Sequence, residues 1–206
     1  MNTPYSLKEL ERRAYRSTFE DGIYDILFGL LFLIFAAIPI LEAAGLSRFI
    51  GYSLLIIPPA LPLLGKRLIT IPRMGAVEFG PRRKSRRRLI LIITGIVIFL
   101  MLPIMISTVS NGLSGSMGWM VIALLALPVF IIAVYAMDFP RLWIYAALLL
   151  AGPVESEFLL RYIGSPLNTS ISFGLPGVVV LIVGLSLLFS FIQKYPKVAP
   201  EANHAG

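Results

Sequence analysis

Cysteine is missing from all 206 positions, which excludes disulfides, thiolate metal ligands and cysteine nucleophiles. Histidine occurs once, as His204 near the end of the chain, so histidine-based acid–base catalysis and zinc chemistry lack the groups they need. Neither a phosphate-binding loop nor a dinucleotide fingerprint is present, and no cofactor is implied. Charge is scarce as well. Only 14% of residues are charged, against about a quarter in an ordinary soluble domain. With 57% apolar residues and a mean hydropathy of +0.85, the composition excludes disorder, a collagen-like fibre and a water-soluble globule. It leaves an all-α, polytopic integral membrane protein.

A helix needs about 20 mostly apolar residues to cross a hydrocarbon core of about 30 Å. Six stretches qualify, at 22–43, 47–64, 89–109, 119–137, 142–163 and 171–192. The fifth crosses only if its helix continues through Glu155 and Glu157 to Ile163, and without it the count is five. The expected organisation is a cytoplasmic segment 1–20, spans one and two over 21–64, a basic loop 65–88, spans three to six over 89–193, and a tail 194–206. The first 20 residues have no apolar core that would make them a cleaved signal, so the first span is expected to stay in the mature protein.

With six spans and the N-terminus inside, only Arg48 and Arg161 of the 18 lysines and arginines fall in outer loops. That asymmetry places both termini in the cytoplasm, with the chain in the cell membrane. It also removes the motive for a nucleic-acid partner, because arginines that orient spans need no other role.

The N-terminal segment reads as an amphipathic helix. Ser6/Glu9 and Ser17/Glu20 have capping-box spacing, and Leu7, Leu10 and Ala14 recur on one face beside Lys8, Arg12, Arg13 and Arg16. In the 65–88 loop, Leu68–Ile71 and Ala76–Phe79 flank a turn-like Pro72-Arg73-Met74-Gly75, which predicts a small β-hairpin. After Pro81 come Arg82, Arg83, Lys84, Arg86, Arg87 and Arg88, broken only by Ser85. Such a run stops translocation, and it also attracts anionic headgroups at about 1 kcal/mol per cation.

Ionisable groups within apolar spans are the first candidates for function. Asp21 and Asp25 share one face at the start of the first span. Asp21 suits a helix N-terminus, and Asp25, one turn deeper, is within reach of the inner arginines. Glu155, Glu157 and Arg161 form the densest cluster, with Glu157 and Arg161 at salt-bridge spacing. These five residues are the candidate ligand-binding set. Asn168-Thr169-Ser170 fits a glycosylation sequon on the outer side. Gly177 and Gly184, seven apart, suit close helix packing. Arg48-Phe49-Ile50-Gly51 and Arg161-Tyr162-Ile163-Gly164 match in type, and would make the first and last helix pairs copies of one another.

The string from Pro153 to Arg161 is similar to the glutamate-rich motif of the CAAX-processing and bacteriocin-processing intramembrane proteases. In that family two adjacent glutamates precede an arginine, and histidines on later helices complete the site. Glu157 and Arg161 fit, Ser156 stands where the first glutamate would be, and no span holds a histidine. Three functions are therefore carried. The leading one is a non-enzymatic membrane protein whose basic cytoplasmic surface binds anionic lipid or a membrane partner protein. The second is a small transporter or channel subunit, as a homo-oligomer, lined by Asp25 and the Glu155/Glu157/Arg161 cluster. An intramembrane hydrolase is third.

Overall fold

A computed structural model describes residues 19–74, 85, 92, 124, 127–128, 130–134 and 139–196. The described residues are helical, with no strand among them. The longest helices are α1 (Ile23–Ala43), α5 (Leu142–Ile163) and α6 (Leu167–Lys194). Between α1 and α5 comes a broken helical path of α2 (Arg48–Ser53), a 3₁₀ turn (Leu54–Ile56), α3 (Ala60–Gly65), a π-helical turn (Lys66–Thr70) and α4 (Ile71–Met74). Four segments are long and apolar enough to cross a membrane: α1, the stretch Leu54–Arg73, α5 and α6.

α1 starts where expected. Gly22 takes φ +74°, a left-handed turn that a side chain would oppose, and Asp21 Oδ1 accepts the Ile23 N–H at 3.2 Å. The helix runs through Pro39 and closes on Gly45, also left-handed at φ +86°. The Gly45 and Leu46 amides return to the carbonyls of Glu42 and Leu41, so the last turn's orphan acceptors are met. α5 does continue through Glu155 and Glu157 to Ile163.

α1 and α6 run antiparallel in close contact, and the reason is a seven-residue repeat of small residues on both. Gly22, Gly29 and Ala36 on the α1 side face Gly184, Gly177 and Ser170 of α6. A Cβ on Gly184 would stand 2.6 Å from the Ile26 nitrogen, and one on Gly29 would stand 2.7 Å from the Leu181 nitrogen. Ser170 Oγ bonds the Ala36 carbonyl at 2.8 Å. Where lipid surrounds a helix, such close backbone approach supplies the packing energy that water-driven burial cannot. A buried cluster of Phe32, Phe173 and Val180 fills the space beside this seam, and Tyr145 and Leu142 join it from α5.

Several expectations are corrected. The second span, expected at 47–64, instead has its apolar helical window at Leu54–Arg73. Lys66, expected at the start of a basic loop, is inside it. The predicted hairpin fails in its first strand, because Leu68–Ile71 and the supposed turn Pro72–Met74 are helical. Pro72 has no N–H and its ring crowds the carbonyl four residues earlier; a widened π turn accommodates that without leaving the helix. Ala76–Phe79 lie outside the described residues, as do residues 1–18. Of the predicted third and fourth spans, Ile92 and Leu124 to Val134 in part are described, and these are helical. The proposed internal copies do not occupy equivalent places, since Arg48–Gly51 opens a helix and Arg161–Gly164 closes one.

Candidate functional site

One end of the bundle gathers the start of α1, the end of α4, the start of α5 and the end of α6. It carries Lys66, Arg67, Arg73, Arg141 and Lys194, which make it the basic end of the bundle. Asp21 and Asp25 point into it, and both are fully buried, with 0% of either exposed.

Each carboxylate is met by a cation and a hydroxyl from a different element. Thr70 Oγ1 donates to Asp21 Oδ2 at 2.7 Å, and Lys66 Nζ lies 3.7 Å from the same oxygen. The π turn matters here, since it carries both Lys66 and Thr70 on the side that faces α1. Lys66 Nζ also sits 4.8 Å from the Phe19 ring centre and 5.0 Å from that of Tyr24, a cation–π arrangement. One turn deeper, Arg141 Nη1 donates to Asp25 Oδ2 at 3.0 Å, and the Tyr145 hydroxyl donates to Asp25 Oδ1. Rings surround the pair: Phe28 stacks on Tyr145 at 4.8 Å, and Phe139 stacks on Phe19 at 5.6 Å.

A buried carboxylate in apolar surroundings is stable only when its charge and lone pairs are met. Both are met here by the chain's own groups. The two aspartates of α1 therefore clamp two different neighbours, the broken span through Asp21 and α5 through Asp25.

Glu155, Glu157 and Arg161 do not join this site. They are exposed near the opposite end of α5, and the residue that turns inward there is Ser156. Ser156 belongs to a second polar cluster. Its Oγ lies 2.8 Å from Thr169 Oγ1, Asn168 Nδ2 donates to the Ser156 carbonyl at 3.1 Å, and Ser172 Oγ donates to the Asn168 carbonyl at 2.9 Å. Asn168 and Thr169 are thus buried in α6, with the Asn168 amide spent on α5, which does not suit the sequon reading. Val154, Glu155, Phe158 and Leu159 line a shallow cleft on the outside of α5. Arg82, Arg83, Lys84, Arg86, Arg87 and Arg88 lie outside the described residues. Among the described residues, no group of three or more histidine, aspartate or glutamate side chains could hold a metal ion.

Sequence reasoning missed Lys66, Thr70 and Tyr145 as partners of the aspartates. Lys66 ends a long apolar run and read as a loop cation, while Thr70 and Tyr145 carry no signal apart from the fold. No known protein family matches the chain, and no curated protein or solved structure matches it either.

Proposed function

We propose that this is a non-enzymatic multi-pass membrane protein whose basic end faces the cytoplasm and binds anionic lipid headgroups. The observation that carries the reading is the self-sufficiency of the buried charges. Asp21 and Asp25 are each taken by a cation and a hydroxyl of the same chain, so the buried ionic groups serve to hold helices together. The remaining positive charge, Arg67 and Arg73 with the run Arg82–Arg88 close behind in sequence, then has the headgroup layer as its natural counterpart.

Six spans suit this arrangement better than five. Met74 follows the turn that binds Asp21, and Phe139 packs on Phe19, so the chain leaves and rejoins the bundle at the same end. A return to the same side takes an even number of crossings, which the apolar stretches 89–109 and 119–137 together supply. Both termini are then cytoplasmic.

The test is to neutralise Arg82, Arg83, Lys84, Arg86, Arg87 and Arg88 together and measure enrichment of a fluorescent anionic phospholipid around the protein in phosphatidylcholine vesicles. Enrichment should vanish while insertion is retained. Unchanged enrichment would remove the lipid reading and leave an acidic membrane partner as the occupant of that surface.

A small transporter or channel subunit is the second reading, favoured by the broken second span, since discontinuous helices frame many transport sites. Asp25→Asn should then alter ion or proton flux in reconstituted vesicles, and a parent protein without flux would end it.

A further inference from the structure

The two carboxylate clamps join α1 to elements of different character. α5 is a continuous helix of 22 residues, and its clamp on Asp25 is a direct charged hydrogen bond supported by the Tyr145 hydroxyl. The Arg48–Met74 path is not continuous. It changes from α to 3₁₀, breaks at Ile57–Pro59, resumes as α, widens to π and returns to α. Pro58, Pro59, Pro62 and Pro72 each remove a backbone donor from it. Its large apolar side chains Ile56, Leu63, Leu64 and Leu68 are more than half exposed. An element with a break in its helix, several prolines and little burial is the one that opens most cheaply.

This path touches α1 at three levels. Near the opposite end Gly51 packs on Ile38; further along, Gly65 packs on Ile23; at the basic end Thr70 and Lys66 meet Asp21. The Lys66–Asp21 separation of 3.7 Å is longer than a hydrogen bond, so that arm is an ion pair with the ammonium seated on two rings. Asp21 also stands at the very start of α1, where water can replace Lys66 as the path moves away. Asp25 is a turn deeper and lacks that substitute.

We infer that the Arg48–Met74 path is a hinged arm, pivoting near Gly51 and latched to α1 at the basic end by Lys66 and Thr70 on Asp21. Release would swing Arg67 and Arg73 outward together and open Asp21 to water from the basic side, while α1, α5 and α6 stay joined. This stands independently of lipid binding, which concerns what meets the cations and not how the arm is held.

The cysteine-free sequence makes the test clean. Two cysteine pairs are introduced separately into the full-length protein in vesicles: Ile23→Cys with Gly65→Cys at the latched level, and Ile38→Cys with Gly51→Cys at the pivot. Oxidative cross-linking is then timed for each pair, with and without Lys66→Met plus Thr70→Val. The latch predicts that cross-linking of the 23/65 pair slows severalfold while the 38/51 pair keeps its rate. A water-soluble maleimide should also label Gly65→Cys alone faster once the latch is removed, and Lys66→Arg should restore the parent behaviour. Equal rates for both pairs in both backgrounds would overturn the latch. Equal slowing of both pairs would also overturn it, because the whole path would then be unpacking without a pivot.

Discussion

Arg141 Nη1 lies 3.0 Å from Asp25 Oδ2, joining residues 116 positions apart at the start of two parallel helices. The carboxylate is fully buried while the arginine is one-third exposed, so the arginine reaches inward from the bundle's end to a charge that cannot reach water itself. Removing one partner of such a pair leaves an uncompensated buried charge, at a cost of about 3–5 kcal/mol.

Arg141→Ala is therefore expected to lower the unfolding midpoint in detergent far more than the paired replacement Asp25→Leu with Arg141→Met, which removes both charges. Thermal unfolding of the two variants side by side is the measurement. Equal destabilisation would contradict a buried ion pair between the two residues.

Tyr145→Phe deletes the other hydrogen bond to Asp25 and leaves the ring stacked on Phe28. A hydrogen bond to a charged group is worth about 1.5–3 kcal/mol, so the loss should be smaller than for Arg141→Ala. A double-mutant cycle between the two sites should show coupling, because both act on one carboxylate. Strict additivity would contradict a shared partner.

The α1–α6 seam makes a prediction of graded tolerance. Gly184→Ala forces a methyl to within 2.6 Å of the Ile26 backbone nitrogen, whereas Gly174→Ala meets only the Ala36 methyl, at 3.4 Å. The first should cost about 1–3 kcal/mol by overpacking against backbone that cannot yield, and the second close to nothing. Chemical unfolding in mixed micelles ranks them. A reversed order would mean that the helices cross elsewhere.

Much of this architecture is legible in the residues alone, and the parts that are not share a cause. The first span, the passage of the fifth through Glu155 and Glu157, and the close packing at Gly177 and Gly184 follow from apolar length and small-residue spacing, which are local properties. The second span is misplaced because Lys66 reads as the end of an apolar run, when its charge is met by Asp21 from another helix. The hairpin expected at Leu68–Phe79 rests on β-branched residues around Pro72, and the helix keeps that proline by widening into a π turn. The glutamate cluster draws attention through charge density, yet the residue facing inward is the unremarkable Ser156, between two exposed acids. Direction around a helix axis is decided by neighbours, and composition does not report it.

The second polar cluster offers a separate check at the opposite end. Ser156→Ala removes the hydroxyl that meets both Thr169 and Asn168. Hydrogen bonds between membrane helices average about 0.6 kcal/mol, so a loss of about that size per bond is expected. Glu155→Gln, at an exposed position, should leave the unfolding midpoint unmoved. A larger effect from Glu155 than from Ser156 would reverse the assignment of the inward face.

The orientation of the bundle is tested most directly by single-cysteine labelling in intact cells with a membrane-impermeant maleimide. Ser47→Cys and Ser165→Cys, in the two turns remote from Asp21, should react from outside, while Ser85→Cys and Pro196→Cys should react only after the membrane is permeabilised. Labelling of Ser47→Cys and Ser85→Cys from the same side would contradict a bundle whose cationic ends share one compartment.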